Sequence, residues 1–103
     1  MRLAVVIGSL TLSRYHPSIR GSQWKIVVPM SLEDLDANGA GPKGEELVAC
    51  DQLSAGRGEW IALSEGAEAA MPFYPNPFPI DAYNAAIIDT IELDSQLVES
   101  RNP

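Results

Sequence analysis

Few residues in this chain have the chemistry of a catalyst. His16 and Cys50 are the only histidine and the only cysteine. A thiolate nucleophile needs a base beside it, and a metal needs several converging ligands. His16 stands before Pro17 with no histidine, cysteine or acid at ligand spacing. Cys50 alternates with Val48 in an apolar segment, which suits a small buried side chain. Gly56-Arg57-Gly58 suggests a phosphate loop, but no Lys-Ser/Thr follows and the next segment has strand character. A tight turn accounts better for these glycines. Asp51 and Glu59 bracket that turn and could approach as a carboxylate pair. Nothing marks a cleft around them, so solvated surface acids are the expectation. Trp24 and Trp60 begin apolar segments without interleaved bases, as core or interface anchors rather than a stacking platform. The expectation is a protein that is not an enzyme and has no metal and no cofactor.

The elements that would position these residues are strands. Five apolar segments of strand length occur, at Leu3–Leu10, Trp24–Met30, Glu46–Asp51, Trp60–Ser64 and Ala85–Ile91. Turn residues separate them: His16-Pro17 and Gly21, then Asp36, Asn38-Gly39 and Gly41-Pro42 in a wide loop, then Gly56 and Gly58. No window sustains a helical period, and the best candidate is a short turn around Ser64–Ala70. The pattern predicts an all-β fold, a small five-stranded OB-like β-barrel with long loops, in one domain over residues 1–93. Residues 94–103 form a polar C-terminal tail with Leu97 and Val98 as its apolar handles. Between the fourth and fifth strands, Met71–Pro79 carries four prolines in nine residues, which forbids a helix or an interior strand. This segment should be a stiff loop pinned by Phe73, Tyr74 and Phe78 to its own barrel or to a neighbour, with a polyproline recognition ligand as the other reading.

Composition narrows the function classes. The 103 residues are 46% hydrophobic and 20% charged, ordinary for a globular chain. No apolar run reaches the roughly 18–20 residues of a membrane helix. Arg2 and the short stretch Leu3–Ile7, broken by Gly8, read as a first strand rather than a secretion signal, and a cytoplasmic protein is expected. A net charge of −7 disfavours binding to nucleic acid phosphates. The charge is unevenly spread. Residues 1–32 contain Arg2, Arg14, Arg20 and Lys25 and no acid, while all fourteen acids and only Lys43, Arg57 and Arg101 lie beyond. Either the two parts neutralise each other within the fold, or a basic edge of one copy meets an acidic edge of the next.

Strand faces favour the association of copies. Leu3, Val5 and Ile7 alternate with Ala4 and Val6, and Ala85 and Ile87 alternate with Ala86 and Ile88. Both faces are apolar, whereas a lone antiparallel barrel keeps its outer face polar. A neighbouring subunit is the most economical cover in so small a chain.

Several motifs in order carry a family resemblance. Ala49-Cys50-Asp51-Gln52-Leu53-Ser54-Ala55-Gly56-Arg57-Gly58-Glu59-Trp60-Ile61 resembles a pattern in which a Val-Ala-x-Asp strand end leads into Gly-Ala-Gly-x-Gly-Glu and a hydrophobic strand. Pro79-Ile80-Asp81-Ala82 and Ile87-Ile88-Asp89-Thr90-Ile91 are similar to its Pro-Val-Asp-Ala and Ile-Val-Asp. Val5-Val6-Ile7-Gly8, Ser13, His16-Pro17 and Gly21 match its first strand and loop. The pattern is that of the EutN/CcmL family, pentameric vertex proteins of bacterial microcompartment (carboxysome-like) shells. The chain departs from it at Ser54, where the family has glycine, at Ala67-Glu68-Ala69-Ala70, which lacks the family's arginine, in the Pro-rich loop, and in an acidic insert around Glu33–Asp36.

The resemblance implies a cyclic homopentamer that closes the corners of a polyhedral shell beside hexameric and pseudohexameric shell proteins. It places turn and subunit contacts at Ala55, Gly56, Gly58, Pro79 and Asp81. The other reading of the glycines is a hairpin turn with no contact role, and Asp81 either caps a turn, pairs with a base such as Arg14, or is simply solvated. The competing expectation is a monomeric OB-like binding module for a peptide or small ligand, with one strand face left open.

Overall fold

The computed structural model describes residues 1–32, 34, 44–76, 78–94 and 96–97. Five strands close into a barrel: β1 (Arg2–Leu10), β2 (Gln23–Pro29), β3 (Leu47–Asp51), β4 (Trp60–Glu65) and β5 (Ala82–Ile88). A one-turn helix α1 (Ala67–Ala70) follows β4, and 3-10 turns occupy Pro17–Ile19 and Met71–Phe73. The order around the barrel is β1-β2-β3-β5-β4, with β4 returning to β1. All pairings are antiparallel except β3 with β5, which meet in parallel at Cys50 and Tyr83.

Closure of so few strands needs sharp coiling, and two irregularities supply it. β1 shifts register against β2 between Val6 and Gly8, and β4 shifts against β5 at Ala62/Leu63. The interior is correspondingly narrow. Ala4, Ala49, Ala55 and Ala82 share the core with the larger Val6, Val27, Ile61 and Leu63. Four alanines let the strands approach, and the branched residues fill the remaining space. On β1, Ala4 and Val6 point inward as 0% and 1% exposed residues, whereas Ile7 is 46% exposed on the outside.

The strand expectations hold apart from the last. β5 begins at Ala82, three residues before the expected Ala85, and ends at Ile88 rather than Ile91. Tyr83 and Asn84 hid its start by breaking the apolar run, yet Ala82 pairs with Glu65 and Asn84 with Leu63. The short turn expected around Ser64–Ala70 contains α1, which Gly66 enters at φ +64° and which gives way at Pro72.

The Pro-rich loop is held by aromatic contacts to its own barrel. Phe73 stacks on Phe78 at 3.7 Å between ring centroids and meets the β5 residue Tyr83 edge-on at 5.4 Å. Tyr74, expected as a third anchor, is instead 79% exposed. The wide loop through Asp36, Asn38-Gly39 and Gly41-Pro42 lies outside the described residues, as do Glu33 and Asp36 of the acidic insert and the end of the tail from residue 98.

Candidate assembly site around the glycine turn

β3 ends on an aspartate because the following loop needs an internal acceptor. Asp51 is wholly buried, against the expectation of a solvated acid. Its Oδ1 accepts the Leu53 N–H at 2.9 Å and the Asn84 side-chain amide at 2.9 Å. Its Oδ2 accepts the Ala55 N–H at 2.7 Å. One carboxylate thus turns the chain back on itself and ties the turn to β5. Burial without partners would be prohibitive for this charge, and the charge-assisted hydrogen bonds offset it. The signal in the sequence was an aspartate two and four residues before the donors that it binds, an Asx-type pattern.

The turn that follows is built in three steps. Ser54 takes a left-handed φ of +60°, Ala55 drops into the core at 1% exposure, and Gly58 turns again at φ +83°. The Gly58 N–H then donates to the Val6 carbonyl at 2.8 Å, and the Val6 N–H donates to the Glu59 carbonyl at 3.0 Å, which extends the β1/β4 ladder. Glu59 is exposed, and its carboxylate accepts the Gly56 N–H at 2.6 Å. Asp51 and Glu59 therefore serve different donors and do not form a carboxylate pair. Gly56 has no positive φ, and a Cβ placed there meets only Glu59 Oε1 at 3.2 Å, so the fold of the protomer does not itself demand glycine at this position.

The other expected contact residues lie elsewhere. Pro79 and Asp81 are exposed at the entry to β5, where the Asp81 carbonyl accepts the Gly66 N–H at 2.8 Å. The Asp81 side chain neither caps a turn nor pairs with Arg14 among the described residues. Among the described residues no hydrogen bond joins Pro79 or Asp81 to Ala55, Gly56 or Gly58; the Asp51–Asn84 contact links turn and strand.

The two candidate nucleophilic or ligating groups are committed to local structure. His16 Nδ1 accepts the Ser18 N–H at 3.1 Å and lies 2.6 Å from Ser18 Oγ, which caps the first 3-10 turn. Cys50 is buried, and desolvation raises its thiol pKa despite a bond from Ser22 that lowers it. No cluster of three metal-ligating side chains occurs among the described residues.

What the geometry provides is a closed barrel with a latched turn and apolar residues outside it. Residues 1–89 match the family model described as "Ethanolamine utilisation protein EutN/carboxysome". The chain belongs to the EutN/CcmL family. The carboxysome shell vertex protein CcmL of a Nostoc species is 32% identical, over 98% of this chain and 95% of its own length. The microcompartment shell vertex protein EutN of Salmonella typhimurium is 31% identical over 95% and 93%. Among solved structures, the GrpN pentameric microcompartment shell protein of Rhodospirillum rubrum superposes with a TM-score of 0.75 at 30% identity, covering 91% of this chain and all of that one. CcmL of Gloeobacter violaceus gives 0.77 at 28% identity, over 91% of both chains.

At Ser54, where the resemblance to the family pattern puts a glycine, the backbone takes φ +60°. The stretch Ala67–Ala70, which lacks the arginine, forms α1 with Ala69 buried.

Proposed function

We propose that this chain is a structural protein of a bacterial microcompartment shell in the cytoplasm, forming pentamers that cap the five-fold vertices. The observation that carries the reading is the near end-to-end match of this barrel to a pentameric microcompartment shell protein. Physical features support it. A closed barrel has no free strand edge, so copies must join through side chains rather than by strand addition. The outside offers such side chains: Ile7, Val48 and Ile87 are 46%, 49% and 37% exposed. A flat hexagonal layer cannot close into a polyhedron without five-fold units, and a ring built from one heterologous contact supplies them. Hexameric and pseudohexameric shell proteins would flank the ring. Its work is geometric and needs no catalytic residue. Gly56, Gly58, Pro79 and Asp81 are exposed and available to a neighbouring copy, while Ala55 contributes to the turn from inside the core.

The test is solution mass by light scattering after size exclusion. Five copies of the 11.1 kDa chain give about 56 kDa. A mass near that of one chain at all concentrations overturns the ring and favours the monomeric binding module.

A further inference from the structure

The basic and acidic parts of the sequence hardly pair with each other among the described residues. Among the described residues a single ion pair, Arg2 with Glu65, crosses between them. The Arg14 and Arg20 side chains are exposed and make no hydrogen bond or ion pair among the described residues. Arg14 precedes Tyr15, and Arg20 stands between Ile19 and Gly21, three residues that line a groove of about 370 Å³ between the end of β1, the connecting loop and the start of β2. Leu10, Leu12, Tyr15, Ile19 and Trp24 line it together with Lys25. Leu12 and Tyr15 are 38% and 42% exposed, so the apolar lining is open to solvent in the protomer. No acid occurs anywhere in residues 1–32.

The end of β5 and its extension have the opposite character. Ile87-Ile88-Asp89-Thr90-Ile91-Glu92-Leu93-Asp94 alternates apolar with acidic residues, and no base occurs between Tyr83 and Arg101. The strand ends at Ile88, so the following residues leave the ladder. Ile87 and Leu93 are 37% and 40% exposed, and Asp89, Glu92 and Asp94 are exposed. Within its own protomer this segment borders Gly58, Glu59 and Trp60, not the β1–β2 groove. A heterologous ring contact requires two different surfaces on each copy, one giving and one receiving. These two surfaces match in polarity and in charge.

We propose that residues 87–94 of one protomer lie in the β1–β2 groove of the next, with Ile91 and Leu93 against its apolar lining and Asp89 and Glu92 facing Arg14 and Arg20. The inference rests on the pentamer reading and names the contact that closes it. Exposed opposite charges at such a contact steer encounter and reject wrong registers more than they add affinity.

Paired charge reversals test it. Arg14→Glu with Arg20→Glu, or Asp89→Lys with Glu92→Lys, should raise the protein concentration at half-dissociation of the ring by about tenfold or more. The combined four-residue swap leaves the net charge unchanged and should return it to within about threefold of the original. Circular dichroism confirms that each variant is folded. If a reversal does not fold, the neutral variant Arg14→Gln, Arg20→Gln, Asp89→Asn, Glu92→Gln replaces it, and its ring should lose the salt sensitivity of the unmodified one. A stable ring indifferent to the reversals and to salt, or one-sided losses that the swap does not restore, overturns this contact alone. A chain that is monomeric before any substitution overturns the pentamer and this contact with it.

Discussion

Replacing Asp51 by alanine should be among the most damaging single changes in this chain, and the structure sets its size. The carboxylate satisfies three donors, of which the Ala55 N–H and the Asn84 amide belong to residues only 1% exposed. Leu53 is 46% exposed, so its N–H can turn to water. Stranding a buried donor costs about 1–3 kcal/mol, which puts Asp51→Ala near 4 kcal/mol. Asp51→Asn keeps the shape but turns one acceptor into a donor facing another N–H, at about 2 kcal/mol. Asn84→Ala removes one donor and leaves the others bound, at about 2 kcal/mol with its small cavity. In the double variant the Ala55 N–H is still stranded but the Asn84 amide is gone, so the two losses should fall short of additivity by about 1–2 kcal/mol. Urea unfolding followed by fluorescence, at one fixed protomer concentration because assembly adds mass-action stability, gives all four corners of the cycle. A loss under 1 kcal/mol for Asp51→Ala, or strict additivity with Asn84→Ala, would refute the latch.

Other substitutions separate backbone, core and assembly roles. Gly58→Ala places a Cβ at φ +83° and should cost about 1 kcal/mol, read from the urea midpoint. Ser54→Gly relieves the φ of +60° and should leave stability unchanged or raise it by about 0.5 kcal/mol in the same assay. Gly56→Val should leave the melting of the barrel nearly intact, because only the end of the Glu59 side chain is in the way, while light scattering should show the ring lost. A stable ring in that variant would remove Gly56 from the contact. The Cys50 thiol, raised chiefly by desolvation, should react with a thiol reagent at pH 8 at least about 100-fold slower in the folded chain than in urea. Its raised folded pKa contributes stability at low pH that is lost as pH climbs past the unfolded thiol value near 8.5, and Cys50→Ala should lack that alkaline decline.

What the sequence conveyed depended on which interactions leave a periodic trace. β1, β2 and β4 were legible to within one residue because apolar β-branched runs end at Pro or Gly signals, as at Pro29 and Gly58. β5 was placed three residues late because its first inward residues are Ala82 and Asn84, one small and one polar. Asn84 faces the interior only because Asp51, thirty-three residues earlier, needs its amide. Such a pair has no local signature, and treating Asp51 by its type alone put it at the surface. The turn glycines were visible as turn residues, but composition could not show that Gly58 and Ser54 carry the left-handed backbone while Gly56 does not. The contact residues carried over from the family pattern share a sequence motif more than a place. Ala55 is interior, and Pro79 and Asp81 sit at the entry to β5.

The division between inside and outside explains how this fold tolerates change at the turn. Its core cluster consists of four alanines and four larger aliphatic residues, with Asp51 and Asn84 also buried. Overfilling such a narrow core costs about 1–3 kcal/mol per site, so those positions have little freedom. In the proposed ring the exterior meets a different requirement, that one surface fit another copy of the chain in a repeated direction. Ser54 is exposed and belongs to neither set, since its backbone angle is held by the Asp51 bonds on both sides, to Leu53 and to Ala55. A serine can stand there at a net cost of no more than about 0.5 kcal/mol relative to glycine, because the latch over-determines the conformation and glycine loses more chain entropy. Charge on the exterior is free in the same sense. The side chains of Arg14, Arg20, Asp89 and Glu92 make no ion pair within the protomer among the described residues. In the proposed ring, another copy of the same chain would supply the opposing surface for these segregated charges.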